Sequence, residues 1–186
     1  MEHFYEKLEG WFTFPILYSQ LAQVLPEGGT FVEVGVWKGR SLAFFIVETI
    51  NHNKNLNIYA VDTWKGSEEH KDWNEIVNNT LFEEFTTNMT PVMDKFKSLQ
   101  MTSEEASKKF QDNSIDGIFI DAAHEYEAVK KDLELWYPKV KSGGYFCGHD
   151  YSDGWPGVVQ AVNEFFQNKP NEIIGFGEMS WAARKN

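Results

Sequence analysis

A chain of 186 residues, 42% hydrophobic and 16% aromatic, is long enough for one domain with a real core and too apolar for a disordered one. Its net charge of −11 repels phosphate backbones and argues against nucleic acid as a partner. There is no apolar run long enough to span a membrane and no basic, apolar leader after Met1. The acidity favours a neutral small molecule, a sugar or a cationic cofactor as ligand, and the one cysteine, Cys147, cannot form an internal disulfide, so a cytoplasmic, reducing setting is expected.

Residues 1–29 read as a helical lead-in, either a packing helix or a lid over the cofactor or a dimer contact. Phe4, Tyr5 and Leu8 share one face, and Tyr18, Leu21, Ala22 and Leu25 continue at helical spacing up to Pro26-Glu27-Gly28-Gly29. Thr30–Val34 is a strand holding Glu33. It passes through Gly35 and Gly39 into a helix over 40–50 that carries Leu42, Phe45, Ile46 and Ile50. Leu56–Val61 is a second strand ending at Asp62. Glu33 and Asp62 stand 62 − 33 = 29 residues apart, about one β-α-β unit. Residues 63–95 are polar and aromatic, with an amphipathic stretch near 74–88. They are too long for a minimal crossover and read as an insertion covering a substrate pocket.

Phe96–Met101 is the third strand, and Ser103 is the candidate N-cap of the helix after it. Ile115–Ile120 is nearly all apolar, as in a buried parallel strand, and ends at Asp121. Tyr126–Trp136 is an amphipathic helix with Val129, Leu133 and Trp136 inward. Lys141-Ser142-Gly143-Gly144 is a turn, Tyr145–Gly148 a strand, and His149-Asp150 its exit. A helix over 157–167 follows. Glu172–Phe176 and Met179–Ala183, joined by Gly177-Glu178, close the chain as an antiparallel hairpin.

This alternation specifies a single α/β domain over residues 1–186, a sandwich around a seven-stranded, mostly parallel sheet. Ligands of such sheets bind beyond the carboxyl ends of the strands. Polar residues gather there: Glu33, Asp62, Ser103-Glu104, Asp121 with His124, and His149-Asp150. Five consecutive strand ends with the same habit point to one composite pocket. The loop Glu33-x-Gly35-x-x-x-Gly39 is wider than a dinucleotide fingerprint, and Trp37 and Lys38 stand where that fingerprint takes small residues. The spacing suits a cofactor without a diphosphate. Asp62 is placed to accept hydrogen bonds from ribose hydroxyls. Trp37, Trp64, Trp73, Tyr126, Tyr151 and Trp155 are the aromatic residues near the proposed mouth.

Four stretches carry a family resemblance: Glu33–Ser41, Val61–Gly66, Ile120–Tyr126 and Gly143–Tyr151. Together they resemble a class I S-adenosylmethionine-dependent methyltransferase, closest to the small metal-assisted O-methyltransferases of sugar, macrolide and other secondary-metabolite pathways. The likeness covers about residues 28–186, and its Asp-x-x-His-x-Tyr and Gly-His-Asp-Tyr motifs are the specific ones. It implies a Rossmann-like three-layer fold, S-adenosyl-L-methionine as methyl donor and a hydroxyl of a small molecule as acceptor. Glu33, Gly35 and Gly39 would surround the methionine part of the cofactor. Asp62 would hold the ribose, Trp64 would line the adenosine side, and Ser103 and Glu104 would lie near the adenine. Trp37, Ser41, Thr63 and Asp121 would complete that pocket.

Asp121, His149 and Asp150 resemble the metal-binding positions, with Mg²⁺ as the ion and His124 as general base beside Asp121. Position 149 is commonly acidic in such relatives; His there departs from the all-oxygen shell that Mg²⁺ prefers. Tyr126, Tyr151 and Trp155 would face the acceptor. A homodimer would use the N-terminal helix or the 63–95 segment. Two other readings are a nicotinamide-dependent oxidoreductase, which lacks its third close glycine here, and a non-catalytic cofactor-binding module.

Overall fold

Apolar strands alternating with amphipathic helices condense into one twisted sheet. The structure, a computed structural model, describes residues 1–67, 70–167, 169, 173–175 and 179–186, with backbone alone at 173–175. The strands are β1 (Thr30–Val34), β2 (Asn57–Asp62), β3 (Phe96–Gln100), β4 (Ile115–Ile120), β5 (Val140–Gly148), β6 (Ile173–Gly175) and β7 (Trp181–Arg184). Their order across the sheet is β3-β2-β1-β4-β5-β7-β6. The first five run parallel, β7 pairs antiparallel with β5, and β6 pairs antiparallel with β7. The expected seven-stranded sheet with a closing hairpin is present; its linker Gly177-Glu178, with Glu172 and Phe176, lies outside the described residues.

The helices are α1 (Pro15–Val24), α2 (Arg40–Asn51), α3 (Asn74–Val77), α4 (Leu81–Asn88), α5 (Ser103–Ser107), α6 (Tyr126–Trp136) and α7 (Pro156–Phe166). Successive strand residues face opposite sides, so two cores form. On one face Tyr18, Leu21, Phe45 and Phe85 pack on Phe31, Ile58 and Phe119. On the other, Leu133, Trp136 and Val162 pack on Val32, Val61 and Phe146. Each buried ring or aliphatic chain contributes roughly 1.5–3 kcal/mol. β4 is buried at every position, as its sequence required.

Four local expectations are corrected. The lead-in is not one helix. A 3-10 turn at Tyr5–Lys7 gives way to an irregular strap before α1, because Gly10 takes a φ of 130° and Pro15 starts a new helix at N1. The 74–88 stretch is two helices, broken at Asn79 with φ 57°. β5 begins at Val140, so the expected turn at 141–144 lies inside the strand, where the pairing register with β4 shifts near Gly143, φ 78°. Thr102, not Ser103, caps α5: its hydroxyl accepts from the Glu105 N–H, and the Glu105 carboxylate accepts from the Thr102 N–H.

β1 and β4 are neighbours, and the chain leaves them toward opposite edges of the sheet. The crevice at their carboxyl ends is the switch point where open α/β sheets hold ligands.

Candidate active site

The carboxyl ends of β1, β2, β4 and β5 open onto one cavity of about 600 Å³. Its first wall is the loop after β1. Gly35 has φ 86°, and a Cβ there would lie 1.8 Å from the Asp121 carbonyl oxygen, so only glycine lets this loop cross the end of β4. Asp62 braces the loop. One carboxylate oxygen accepts from the Val36 and Trp37 amides, both at 2.9 Å, and the other accepts from the Trp64 amide at 2.8 Å. A carboxylate has about four acceptor positions, so a ribose hydroxyl can still be received. Burial pushes the Asp62 carboxyl up, and the amides pull against that. Glu33 lies beneath the loop and accepts from the Ser41 hydroxyl at 2.5 Å; burial raises its carboxyl to about 8.

The chemical end of the cavity combines the exits of β4 and β5. Asp121, His124 and Asp150 bring ligand-capable atoms within 4.8 Å of one another. His124 Nε2 is 2.9 Å from an Asp150 oxygen, and its ring stacks on Trp155 at 3.9 Å between centroids. Asp150 takes φ 58°, which turns the chain sharply after His149. His149 is buried, with Nδ1 at 3.3 Å from Asp150 and 3.7 Å from Asp121 and with Nε2 at 2.9 Å from the Thr13 hydroxyl. Burial opposes the imidazolium, but the two carboxylates outweigh it and raise His149 to about 9. Asp150 is desolvated, yet its two histidine neighbours hold its carboxyl well below the usual range. Burial raises Asp121, partly offset by His149.

Two carboxylates and one imidazole fit a divalent ion that accepts both oxygen and nitrogen; they do not make the all-oxygen shell of Mg²⁺. The expected ligand His149 serves the carboxylates from behind, with one nitrogen held by Thr13.

Residues 32–151 match the family described as "Methyltransferase domain". The chain belongs to that family. An uncharacterized protein, R132, of Acanthamoeba polyphaga mimivirus is 32% identical over 142 residues, spanning 73% of this chain and 58% of that protein. An uncharacterized protein, y4gI, of Sinorhizobium fredii (strain NBRC 101917 / NGR234) is 28% identical over 125 residues, 64% of this chain and 13% of that protein. The chain thus spans only part of the curated relatives it matches. Among solved structures, the O-methyltransferase NovP superposes with a TM-score of 0.69 at 19% identity, covering 92% of this chain and 79% of NovP. CalS11, a TDP-rhamnose 3′-O-methyltransferase of calicheamicin biosynthesis, gives 0.61 at 16% identity over 91% and 76% of the two chains. A SAM-dependent O-methyltransferase of Thermotoga maritima gives 0.64 at 14% identity over 96% and 68%. These likenesses show the Rossmann-like methyltransferase fold.

Within this methyltransferase domain Gly35, Trp37, Ser41, Asp62, Thr63, Ser103, Asp121, His124, His149, Asp150 and Trp155 all line the one cavity. Glu33 and Gly39 support it from behind; a Cβ at Gly39 would press on Met89. Four expected residues point elsewhere. Trp64 is a core residue against Phe82 and Phe85, its indole N–H donating to the Trp37 carbonyl at 2.9 Å. Glu104 faces outward to Lys108 and Lys131. The hydroxyls of Tyr126 and Tyr151 donate to Glu164 and Asn163, away from the cavity. Ser103 reaches the cavity, but its hydroxyl is committed to Asp132 and Trp136.

The lead-in, read from sequence as a packing helix or a lid over the cofactor, supplies lining residues that the sequence did not single out. Glu9, Gly10, Trp11 and Thr13 line the cavity, as do Lys38, Arg40 and His70. The signal for Lys38 and Arg40 lay in the first loop itself, in the cationic pair flanking Gly39. Nothing local marked Thr13, whose partner is 136 residues away.

Proposed function

We propose that this methyltransferase domain moves the methyl group of S-adenosylmethionine to a hydroxyl of a small molecule, with His124 as general base. The observation that carries this reading is the convergence of the Gly35 loop and the Asp121–His124–Asp150 cluster on one cavity. Methyl transfer is an in-line displacement: the carbon–sulfur bond breaks as the carbon–oxygen bond forms, and the acceptor's proton must leave. His124, oriented by Asp150 and by stacking on Trp155, is arranged as a base with its orienting carboxylate. Trp155 and Trp37 offer faces for a planar or sugar acceptor.

Convergence of three donors supports a second component. Asp121 and Asp150 would hold a divalent ion, which when bound lowers the pKa of a coordinated hydroxyl, with His124 beside it as the base rather than as a ligand. The O-methyltransferase activities of NovP and CalS11 make a hydroxyl acceptor, and for CalS11 a sugar, the first class to try. A nicotinamide-dependent oxidoreductase is not favoured by membership of a methyltransferase family.

The test is turnover of S-adenosylmethionine to S-adenosylhomocysteine with a panel of hydroxylated acceptors, with and without Mg²⁺, Mn²⁺ and Zn²⁺. His124→Ala should retain S-adenosylhomocysteine binding and lose transfer by roughly 10²-fold or more. Wild-type turnover in that variant would remove the base assignment. Turnover unaffected by a chelator would remove the ion and leave the base.

A further inference from the structure

Aromatic rings from three segments meet where the cavity opens to solvent. Trp11 comes from the strap, Trp37 from the loop after β1, and His70 and Trp73 from the segment leading into α3. The Trp11 ring lies 5.8 Å from Trp73, 6.1 Å from His70 and 6.5 Å from Trp37 between centroids. Trp37 and Trp73 close on His70 at 4.6 and 4.7 Å. Trp11 lines the cavity and is still 60% exposed, so it stands at the rim. Trp73, against it, is 37% exposed.

This exposure is built in. The chain on both sides of Trp11 is tied down: Glu9 to Lys38 at 2.8 Å, the Gly10 carbonyl to Arg40 at 2.7 Å, and the Thr13 hydroxyl to His149 at 2.9 Å. His70 is held by the Ser67 hydroxyl at 2.9 Å. Apolar rings fixed in place and left in water beside a cavity mark a surface that a ligand covers. Their order is settled beforehand, so binding loses little entropy there. Thr13 also locates the platform. Two residues of extended chain span at most about 7 Å, so Trp11 and the His149 end of the cavity share one wall.

The charges select among flat ligands. Glu9, Asp62, Asp121 and Asp150 line the cavity against Lys38 and Arg40. Lys38 is already shared by Glu75 at 2.7 Å, Glu9 at 2.8 Å and Glu84 at 3.1 Å. Glu9 stands two residues before Trp11 and Glu75 two residues after Trp73, so carboxylates flank the rings. Lys65 and Lys71 of the same segment lie outside the cavity's lining. Indole faces attract cations, and a cleft with surplus carboxylates reinforces that attraction. An acceptor bearing a carboxylate or a diphosphate would be repelled. A ring bearing an ammonium group would be held twice, by stacking and by charge.

We propose that Trp11, His70 and Trp73 form the acceptor platform, and that the acceptor is a hydroxylated flat ring carrying an ammonium group. The hydroxyl would point toward His124 and the ammonium toward Glu9. This rests on the methyl-transfer reading above and adds to it the chemical class of the acceptor.

The test is calorimetric titration of the whole protein, saturated with S-adenosylhomocysteine, with two matched series. One is tyramine, 4-ethylphenol and 4-hydroxyphenylacetate; the other is glucosamine, glucose and glucuronate. The first asks for a planar ring and the second for a sugar face. In the series that fits, the ammonium member should bind roughly tenfold tighter than the neutral one, and the carboxylate weakest. Equal affinity within each series, or binding of none of the six, overturns the proposal. Trp11→Ala should weaken the ammonium member by roughly tenfold and S-adenosylhomocysteine by less than about threefold. Equal losses for both overturn the platform. Glu9→Gln keeps every ring and should cut the ammonium preference by roughly threefold; a preference retained in full overturns the role of charge. Wild-type protein that does not bind S-adenosylhomocysteine overturns the cofactor reading itself, a result distinct from failure of the platform.

Discussion

Glu33 is a carboxyl group almost without solvent, under the loop that forms the first wall of the cavity. Burial raises it to about 8, well above the ordinary carboxylate value it has in the unfolded chain. The folded state therefore holds this proton over a range in which the unfolded state has lost it. Its contribution is fully present at acid pH and is lost as pH rises from about 4.5 through about 8. Glu33→Gln removes the titration, so the fall in Tm between pH 6 and pH 9 should flatten relative to wild type. Parallel pH profiles would contradict the assignment. Gly35 makes the other residue-level prediction. An alanine there meets the Asp121 carbonyl at 1.8 Å in a backbone conformation unfavourable to side chains. Gly35→Ala should cost roughly 2–4 kcal/mol and abolish S-adenosylhomocysteine binding, as read by thermal unfolding and calorimetry; wild-type values for both would show that the loop yields. Both residues stood out in the sequence because a carboxylate in an apolar strand, followed two residues later by glycine, has few other uses. Trp64 did not declare itself, since aromatic identity does not say which way a side chain turns. Its backbone at φ 51° sends the indole into the core rather than the cavity.

Lys38 works between elements. Its ammonium ties the strap through Glu9, α3 through Glu75 and α4 through Glu84 to the loop after β1. Burial opposes its charge, but the three carboxylates more than compensate and keep it protonated. Removing one partner of a buried pair costs about 3–5 kcal/mol. Glu9 is 81% exposed and can rehydrate, so Lys38→Met should cost less, roughly 2–3 kcal/mol, or a Tm lower by about 4–12 °C. The strap should also become more open to proteolysis between residues 1 and 14. A variant as stable and as protease-resistant as wild type would show that the apolar contacts of Phe4, Phe12 and Phe14 hold the strap alone. The central strands β1, β2, β4 and β5 were legible because each carries an apolar stretch ending near a carboxylate or glycine. The strap was not: Phe4, Tyr5 and Leu8 have helical spacing, and the turn away from helix depends on Gly10 and on side chains far along the chain. Glu104 was misplaced for a related reason. It follows a strand end, yet its position on α5 faces Lys108 and Lys131 rather than the cavity.

At the scale of the molecule, one cavity is walled by segments scattered along the sequence: the strap at 9–13, the loop at 35–41, residues 61–63, 66–67 and 70, the β4 exit at 121–124 and the β5 exit at 149–155. The parallel sheet made most of this gathering legible, because it places consecutive strand ends along a single edge. It did not make the strap's share legible, because Thr13 meets His149 only once both sheet and α1 have formed. If S-adenosylhomocysteine fills the cavity as proposed, these segments should respond together. Bound at a hundredfold excess over Kd, it should raise stability by about 2.7 kcal/mol. Amide exchange by local opening should slow at 9–13, 35–41, 62–67 and 121–124, while β3 at the sheet edge, with no residue at the cavity, should keep its rate. Hydrogen exchange read by mass spectrometry separates this from the simpler case. Protection confined to 35–41 would mean that the ligand rests on the loop alone and that the strap is not part of the site. Protection that includes 9–13 would make the strap a wall of the ligand's site, as the lining of the cavity places it.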